Sequence, residues 1–189
     1  ATELNREKAR RQKIQEQVLV EARAMLAQAE GADDACAIVL AHEDWHAGVV
    51  GIAAARLANE FWRPAVLLTI EEGVVHGSAR SIASLNLHDS LTECARHLES
   101  FGGHAMAAGL RLRAERYETF REAFERAVAK RLAATKAVPS LELDAEVALP
   151  EIDRGLLDEL ESLAPFGQDN PRPVFAAFDV AVRSGVRRM

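Results

Sequence analysis

Cysteine and aromatic residues are scarce: among 189 residues there are two Cys, two Trp, one Tyr and seven Phe. Cys36 and Cys94 stand alone in apolar patterns, which excludes a disulfide framework or a cysteine-rich metal knuckle and predicts reduced, buried thiols. With so few rings, the core must be built from Ala, Val, Leu and Ile, the material of a layered α/β domain. No stretch approaches the roughly eighteen consecutive apolar residues of a membrane span, and the N-terminus is charged rather than signal-like. The expectation is a soluble, cytoplasmic protein with no membrane partner. What is present is ample apolar material: 49% of residues are hydrophobic, enough for one substantial core and part of a second.

The net charge of −6 is spread unevenly. Residues 1–140 hold 18 Lys and Arg against 19 Asp and Glu, whereas residues 141–189 hold 5 against 10. That shift places a boundary near Pro139-Ser140. An acidic total argues against coating of DNA by the whole surface, yet leaves room for a local basic groove. Arg6, Lys8, Arg10, Arg11 and Lys13 form the densest basic cluster, either a solvated helix face or a contact surface.

Glu3–Ala29 lacks Gly and Pro and repeats Ile14, Val18, Met25 and Leu26 at helical spacing, predicting one long helix that Gly31 ends. Because it begins charged, it reads as a connector. Ala35–Ala41 reads as a buried strand, Ala47–Phe61 as an alanine-rich helix and Ala65–Ile70 as a second strand after Pro64. Glu71-Glu72-Gly73 is a hairpin turn that returns Val74–Arg80 antiparallel, so the sheet is expected to be mixed. Asn86 caps a helix carried by Leu87, Leu91, Ala95 and Leu98 to Phe101. Ala107–Leu112 is a further strand, and Tyr117–Ala134 a helix with Phe120, Phe124, Val128 and Leu132 on one stripe. Beyond the boundary, Leu141–Val147 and Val174–Val182 alternate as strands around a short helix, Asp153–Leu163. This second unit is too short to close a sheet alone, and its last strand is expected to fray or to pair with a neighbour.

Four strings carry candidate chemistry. His42-Glu43-Asp44-Trp45-His46 matches the zinc-protease pattern, but the strand runs straight into His42 and Asp44 is a good N-cap, so the histidines flank a turn rather than share a helical face. Gly77-Ser78-Ala79-Arg80-Ser81 puts a hydroxyl and a guanidinium on one face of a strand end, a natural phosphate pair, or simply the polar face of an edge strand. His46-Ala47-Gly48-Val49-Val50-Gly51 reads as an anion-binding helix start or as glycines placed for close packing. Phe101-Gly102-Gly103-His104-Ala105-Met106-Ala107-Ala108-Gly109 sets a histidine among glycines; either the backbone is opened to a ligand, or a helix end turns into a strand there.

In this order, Trp45–Ile52 with Arg56-Leu57, Arg63-Pro64-Ala65, Gly77–Ser81, Asn86-Leu87-His88, Phe101–Gly109, and Pro165-Phe166-Gly167 followed by Asn170–Phe175 resemble the RecJ family of single-strand-specific DNA exonucleases, within the DHH phosphoesterase superfamily. The resemblance covers nearly the whole chain. It implies an interdomain connector helix over 1–30, a DHH-associated domain over 31–138 with a mixed β-sheet flanked by helices, and a linker with the incomplete start of an OB-fold domain over 139–189. It further implies that His104 binds the scissile phosphate, and that Ser78 and Arg80 hold a phosphate of the strand, most simply the 5′ one. Gly102 and Gly103 would let the backbone approach. The family's metal-binding aspartates and histidines, with their Asp-His-His string, belong to a catalytic DHH domain, and no Asp-His-His occurs here. This chain is therefore expected to hold no metal and to be inactive alone, whereas the complete enzyme uses Mn2+ or Mg2+. Implied partners are single-stranded DNA and that DHH domain, with single-strand-binding protein or a helicase as further candidates.

Two other readings stand beside it. Superfamily phosphodiesterases acting on oligonucleotides or cyclic dinucleotides carry a Gly-Gly-His segment too, but normally end soon after the associated domain; the Pro-Phe-Gly and Asn-Pro-Arg-Pro extension favours the exonuclease. A noncatalytic single-strand-binding or interaction module would bind without cleaving.

Overall fold

An unbroken run of helix-compatible residues forms α1, Thr2–Gln28. Its first half stays exposed, while Val18, Leu19 and Ala22 are buried against α2. The computed structural model describes residues 2–29, 31, 34–135, 141–167 and 169–181. The chain divides into two compact units, Ala1–Val138 and Pro139–Met189.

The first unit is mixed α/β. Strand β1, Ile38–His42, helix α2, Ala47–Phe61, and strand β2, Ala65–Glu71, form a β-α-β unit with the two strands parallel. Glu72 and Gly73 both take positive φ, 49° and 80°, the two-residue turn whose twist suits a hairpin. Strand β3, Val74–Arg80, therefore returns antiparallel on β2. After α3, Leu87–Glu93, come β4, Ser100–Gly103, and β5, Ala107–Arg113. The five strands lie in the order β1-β2-β3-β5-β4, and helix α4, Tyr117–Thr135, closes the unit.

Alternation divides the side chains between two cores. Ile38, Leu40, Ala65 and Leu67 meet α1 and α2 on one face. Val39, Val66, Leu68, Val75, Leu110 and Leu112 meet α3 and α4 on the other, where Leu87, Leu91, Phe120 and Phe124 are fully buried. Helix α2 packs chiefly over β2 and β3. The same face of β5 and β4 is left bare: Ser100, Gly102, Gly109, Arg111 and Arg113 are exposed. That half-covered sheet carries Ser78, Arg80 and the turn of His104.

Several expected boundaries move, for physical reasons. The first strand begins at Ile38 rather than Ala35, because the backbone N–H groups of Cys36 and Ala37 donate to the Glu125 carboxylate of α4 instead of to a neighbouring strand. The helix after Asn86 stops at Glu93, followed by a 3₁₀ turn over Ala95–His97, and Phe101-Gly102-Gly103 lies in β4 rather than at a helix end. Helix α2 is capped by His46, whose Nδ1 accepts from the Gly48 N–H at 3.0 Å, and not by Asp44. Cys36 is half-buried, whereas Cys94 is buried.

Burial pushes the Cys94 thiol from its ordinary 9.0 up to about 11. It likewise pushes Tyr117, whose hydroxyl donates to the Val39 carbonyl at 3.1 Å, from 10.0 up to about 12. Both folded values exceed the unfolded ones, so the unfolded chain releases these protons first. Stability should be intact below pH 9 and fall progressively towards pH 12. Urea midpoints measured at pH 8, 9.5 and 10.5 should show this decline, and Tyr117→Phe should flatten its upper part.

In the second unit, β6, Ala145–Glu146, pairs parallel with β7, Phe175–Ala176. These two-residue strands are shorter than expected, and the end of the predicted Val174–Val182 strand lies outside the described residues. Helix α5, Arg154–Ser162, is capped by Asp153 Oδ1 accepting from the Leu156 N–H at 2.8 Å. Asn170 Nδ2 donates to the carbonyls of Leu163 and Pro165, holding the Pro165-Phe166-Gly167 loop, and Arg172 stands 4.7 Å over the Phe166 ring. Leu141, Leu149, Leu157 and Phe178 are exposed.

Candidate nucleic-acid interface

Sheet register decides which of the predicted residues meet. Ser78 and Arg80 alternate onto the face of β3 that looks towards α2, and both come to rest against Gly51. A Cβ added at Gly51 would lie 3.0 Å from Arg80 Nη2 and 3.1 Å from Ser78 Oγ. The absent side chain in α2 is thus the seat of the pair. Among the described residues, Arg80 makes one hydrogen bond, from Nη1 to the Ala79 carbonyl at 2.9 Å, and most of its donors are left for a ligand.

His104 follows β4 in the turn to β5. The turn is pinned entirely by backbone groups: the His104 N–H donates to Ala107 O at 2.8 Å, Leu87 N–H to Ala105 O at 2.9 Å and Ser81 N–H to Met106 O at 2.9 Å. The last of these ties the histidine's turn to the residue after Arg80, and Arg80 itself pairs with Ala107 in the ladder. His104 is exposed, and among the described residues its ring has no hydrogen-bond partner. Its position is fixed while its imidazole stays open.

The two glycines before it differ. Gly103 has φ +150°, and a Cβ there would fall 2.3 Å from Ala107 O, so only glycine fits. Gly102 faces open space, and a Cβ added there would meet nothing within 4 Å. It lies in register with Gly109 of β5, itself opposite Ser78 of β3.

Sequence reasoning passed over the next row along this face. His42, Thr69, His76, Arg111 and Ser100 stand side by side across all five strands. Thr69 Oγ1 is buried and, among the described residues, has no hydrogen-bond partner. Glu99 accepts from Nε of Arg111 at 3.3 Å and forms an ion pair with Arg113 at 3.1 Å, which holds both guanidinium groups along the edge. Only a known register would have found this row, since its members are scattered from residue 42 to residue 111.

The zinc-like string has no metal geometry. His42 Nδ1 accepts from the Asp44 N–H at 3.1 Å and its ring stacks on Trp45, while His46 Nδ1 is spent on the helix cap. Trp45 Nε1 donates to Glu21 at 2.8 Å; a bond from Gln17, with this one, lowers the Glu21 carboxyl from its ordinary value. Among the described residues no group of three His, Cys, Asp or Glu side chains gathers to hold a metal ion.

Comparison with known proteins bears on this arrangement. The DHHA1 domain family matches residues 33–130, and the RecJ OB domain matches residues 143–189. This chain belongs to the RecJ family. The single-stranded-DNA-specific exonuclease RecJ of Bacillus subtilis (strain 168) is 38% identical over 191 residues, an alignment that takes in 100% of this chain and 24% of that protein. RecJ of Dickeya dadantii (strain 3937) is 38% identical over 182 residues, 93% of this chain and 32% of the relative. The chain spans about a quarter to a third of the length of these curated relatives. The crystal structure of RecJ in complex with Mg2+ from Thermus thermophilus superposes with a TM-score of 0.72 at 31% identity, over 92% of this chain and 26% of the other. An exonuclease RecJ bound to manganese superposes with a TM-score of 0.56 at 32% identity, over 68% of this chain and 31% of the other. The solved RecJ relatives thus carry divalent ions, but the described residues of this chain do not form a set fit to hold one. No helix of the described residues is long and apolar enough to cross a membrane.

Proposed function

We propose that this RecJ-family chain is the substrate-holding part of a 5′→3′ exonuclease specific for single-stranded DNA and serving DNA repair and recombination in the cytoplasm. The observation that carries the reading is the convergence of Ser78 and Arg80 on Gly51, beside a turn that holds His104 open and is bonded to Ser81. A hydroxyl and a permanently charged fork suit the terminal 5′ phosphate. His104, at the end of the edge strand β4 and across β5 from Arg80, supplies a donor to the next phosphate, where charge develops as the bond is hydrolysed. Gly103 permits the tight turn, and Gly102 keeps the backbone accessible to the strand. Fixing two successive phosphates places the scissile bond and sets polarity. Hydrolysis itself belongs to a DHH domain with Mn2+ or Mg2+, which nothing among the described residues replaces.

In this reading residues 1–30 connect the two lobes, residues 31–138 form the wall of the cleft, and residues 139–189 begin an OB-fold domain that guides the strand. The match of residues 143–189 to the RecJ OB domain favours the exonuclease over the small phosphodiesterases. The acidic segment beyond residue 141, largely exposed over its described residues, offers a surface to single-strand-binding protein or a helicase.

The test is cleavage of a 5′-phosphorylated single-stranded oligonucleotide with Mn2+. We compare this chain alone, a separately made DHH domain alone, and the two mixed. Activity only in the mixture is expected; cleavage by this chain alone, or by the DHH domain equally well without it, overturns the proposal. Arg80→Ala should chiefly raise KM. Gly51→Leu should act in the same sense by displacing the Arg80 guanidinium, weakening binding by about ten-fold, the loss of one hydrogen bond to a charged group. Fluorescence anisotropy with 5′-phosphorylated and 5′-hydroxyl strands checks this, since only the phosphorylated strand should lose affinity.

A further inference from the structure

Gly102 and Gly109 lie side by side on the bare face of β4 and β5. Neither is needed by the fold. Neither has the positive φ that glycine alone tolerates, and an added Cβ would meet nothing within 4 Å at Gly102 and only Gly77 O, at 3.8 Å, at Gly109. Glycine in a strand interior is costly, weakening the strand by about 0.5–1 kcal/mol relative to alanine. Two in register, unforced by packing, leave an exposed shelf of flat peptide on which a planar group can lie. A shallow, open depression of about 510 Å³ lies over this shelf, its lining including His76, Ser78, Ser100, Gly102, Gly109 and Arg111.

We propose that this shelf is the pocket for the nucleobase of the 5′-terminal nucleotide, the one released by each cleavage. The inference rests on the phosphate positions assigned above. A nucleotide whose 5′ phosphate is at Ser78 and Arg80, and whose 3′ phosphate is at His104, must cross β5. At roughly 4.8 Å per strand, Ser78 to Gly102 is about 10 Å, with Gly109 midway beneath the sugar and base. The base then faces the row beyond, where the Arg111 fork, held by Glu99, and the Ser100 hydroxyl offer donors to ring nitrogens and carbonyls. Further out, Glu71 and Glu72 line the adjoining cavity with His76 and Arg111. Their carboxylates repel another phosphate, so the pocket admits one base and not a continuing strand.

The 15N-labelled chain is titrated with dGMP and, separately, with 2-deoxyribose 5-phosphate, which has the phosphate but no base. Amide shifts are followed at Ser78, Arg80, Gly102, Gly109 and Arg111. We expect dGMP to bind about five- to ten-fold more tightly, as one or two net hydrogen bonds give, and only dGMP to shift Gly102 and Gly109. Gly109→Val, a better strand former, should leave the urea midpoint unchanged or higher while removing the advantage of dGMP; Arg111→Ala should reduce it. Equal affinity for the two ligands, or an advantage that survives in folded Gly109→Val, overturns the shelf. Shifts at Gly102 and Gly109 with none at Ser78 and Arg80 keep the shelf and overturn the phosphate assignment. Absence of any shift overturns both.

Discussion

Replacing His104 by alanine is expected to lower turnover of 5′-phosphorylated single strands by about 10²–10³-fold in the mixture with the DHH domain, the usual loss for one donor aimed at developing charge. Affinity for the strand should change little. The structure separates the two effects: the His104 N–H is bonded to the Ala107 carbonyl, and its turn is held by bonds from Leu87 and Ser81, none of which involves the imidazole. The substitution therefore removes a side chain that is exposed and, among the described residues, unpartnered, without loosening the turn that carries it. Single-turnover rates at saturating DNA give the chemical step, and anisotropy gives the binding. Equal rates for the two proteins would take His104 out of the reaction. A loss confined to affinity would make it another phosphate clamp.

The second large effect concerns stability. Gly77→Ala should destabilise the first unit by about 3 kcal/mol, at the upper end of what overpacking costs, or prevent its folding. Gly77 is in β3, the middle strand, where a Cβ would fall 2.1 Å from Leu67 O and 2.8 Å from the Leu68 Cα of β2. Neither is the flexible end of a side chain, so one strand backbone must move. Leu67 and Leu68 are both fully buried, one in each core, which turns any displacement into lost packing on both faces. Urea denaturation followed by circular dichroism measures the cost. Gly109→Ala, one strand away and with 3.8 Å to its nearest atom, is the internal control and should be neutral to slightly stabilising. Similar midpoints for the two variants would show that β3 and β2 can separate at Gly77 without penalty.

Much of the fold was legible because local chemistry and tertiary structure agreed. The absence of Gly and Pro up to Ala29 gave α1, the Glu72-Gly73 turn gave the β2–β3 hairpin, and Asn86 capped α3 through Oδ1 as its residue type predicts. Phe120, Phe124 and Val128 repeat at helical spacing and are fully buried. Reading failed where a distant group outbid the local one. Cys36 and Ala37 look like the start of a strand, but their N–H groups go to Glu125, nearly ninety residues away. Leu98 and Phe101 continue the helical spacing of α3, yet residues 100–103 pair with β5, because a sheet edge offers Gly102 and Gly103 a ladder, whereas glycine is a poor helix former.

By itself the sequence determined the family, through motifs in fixed order, and the mixed α/β class, through the spacing of apolar residues. It also determined that Ser78 and Arg80 share a face, since alternation along a strand is a local property. Only the tertiary structure decided what that face meets. Gly51 under the pair, the bond from Ser81 to the turn of His104, the bare half of the sheet and the row from His42 to Ser100 all follow from strand order and register. Those are set by how two cores close on opposite sides of one sheet, a balance of burial over the whole unit that no local stretch of residues encodes.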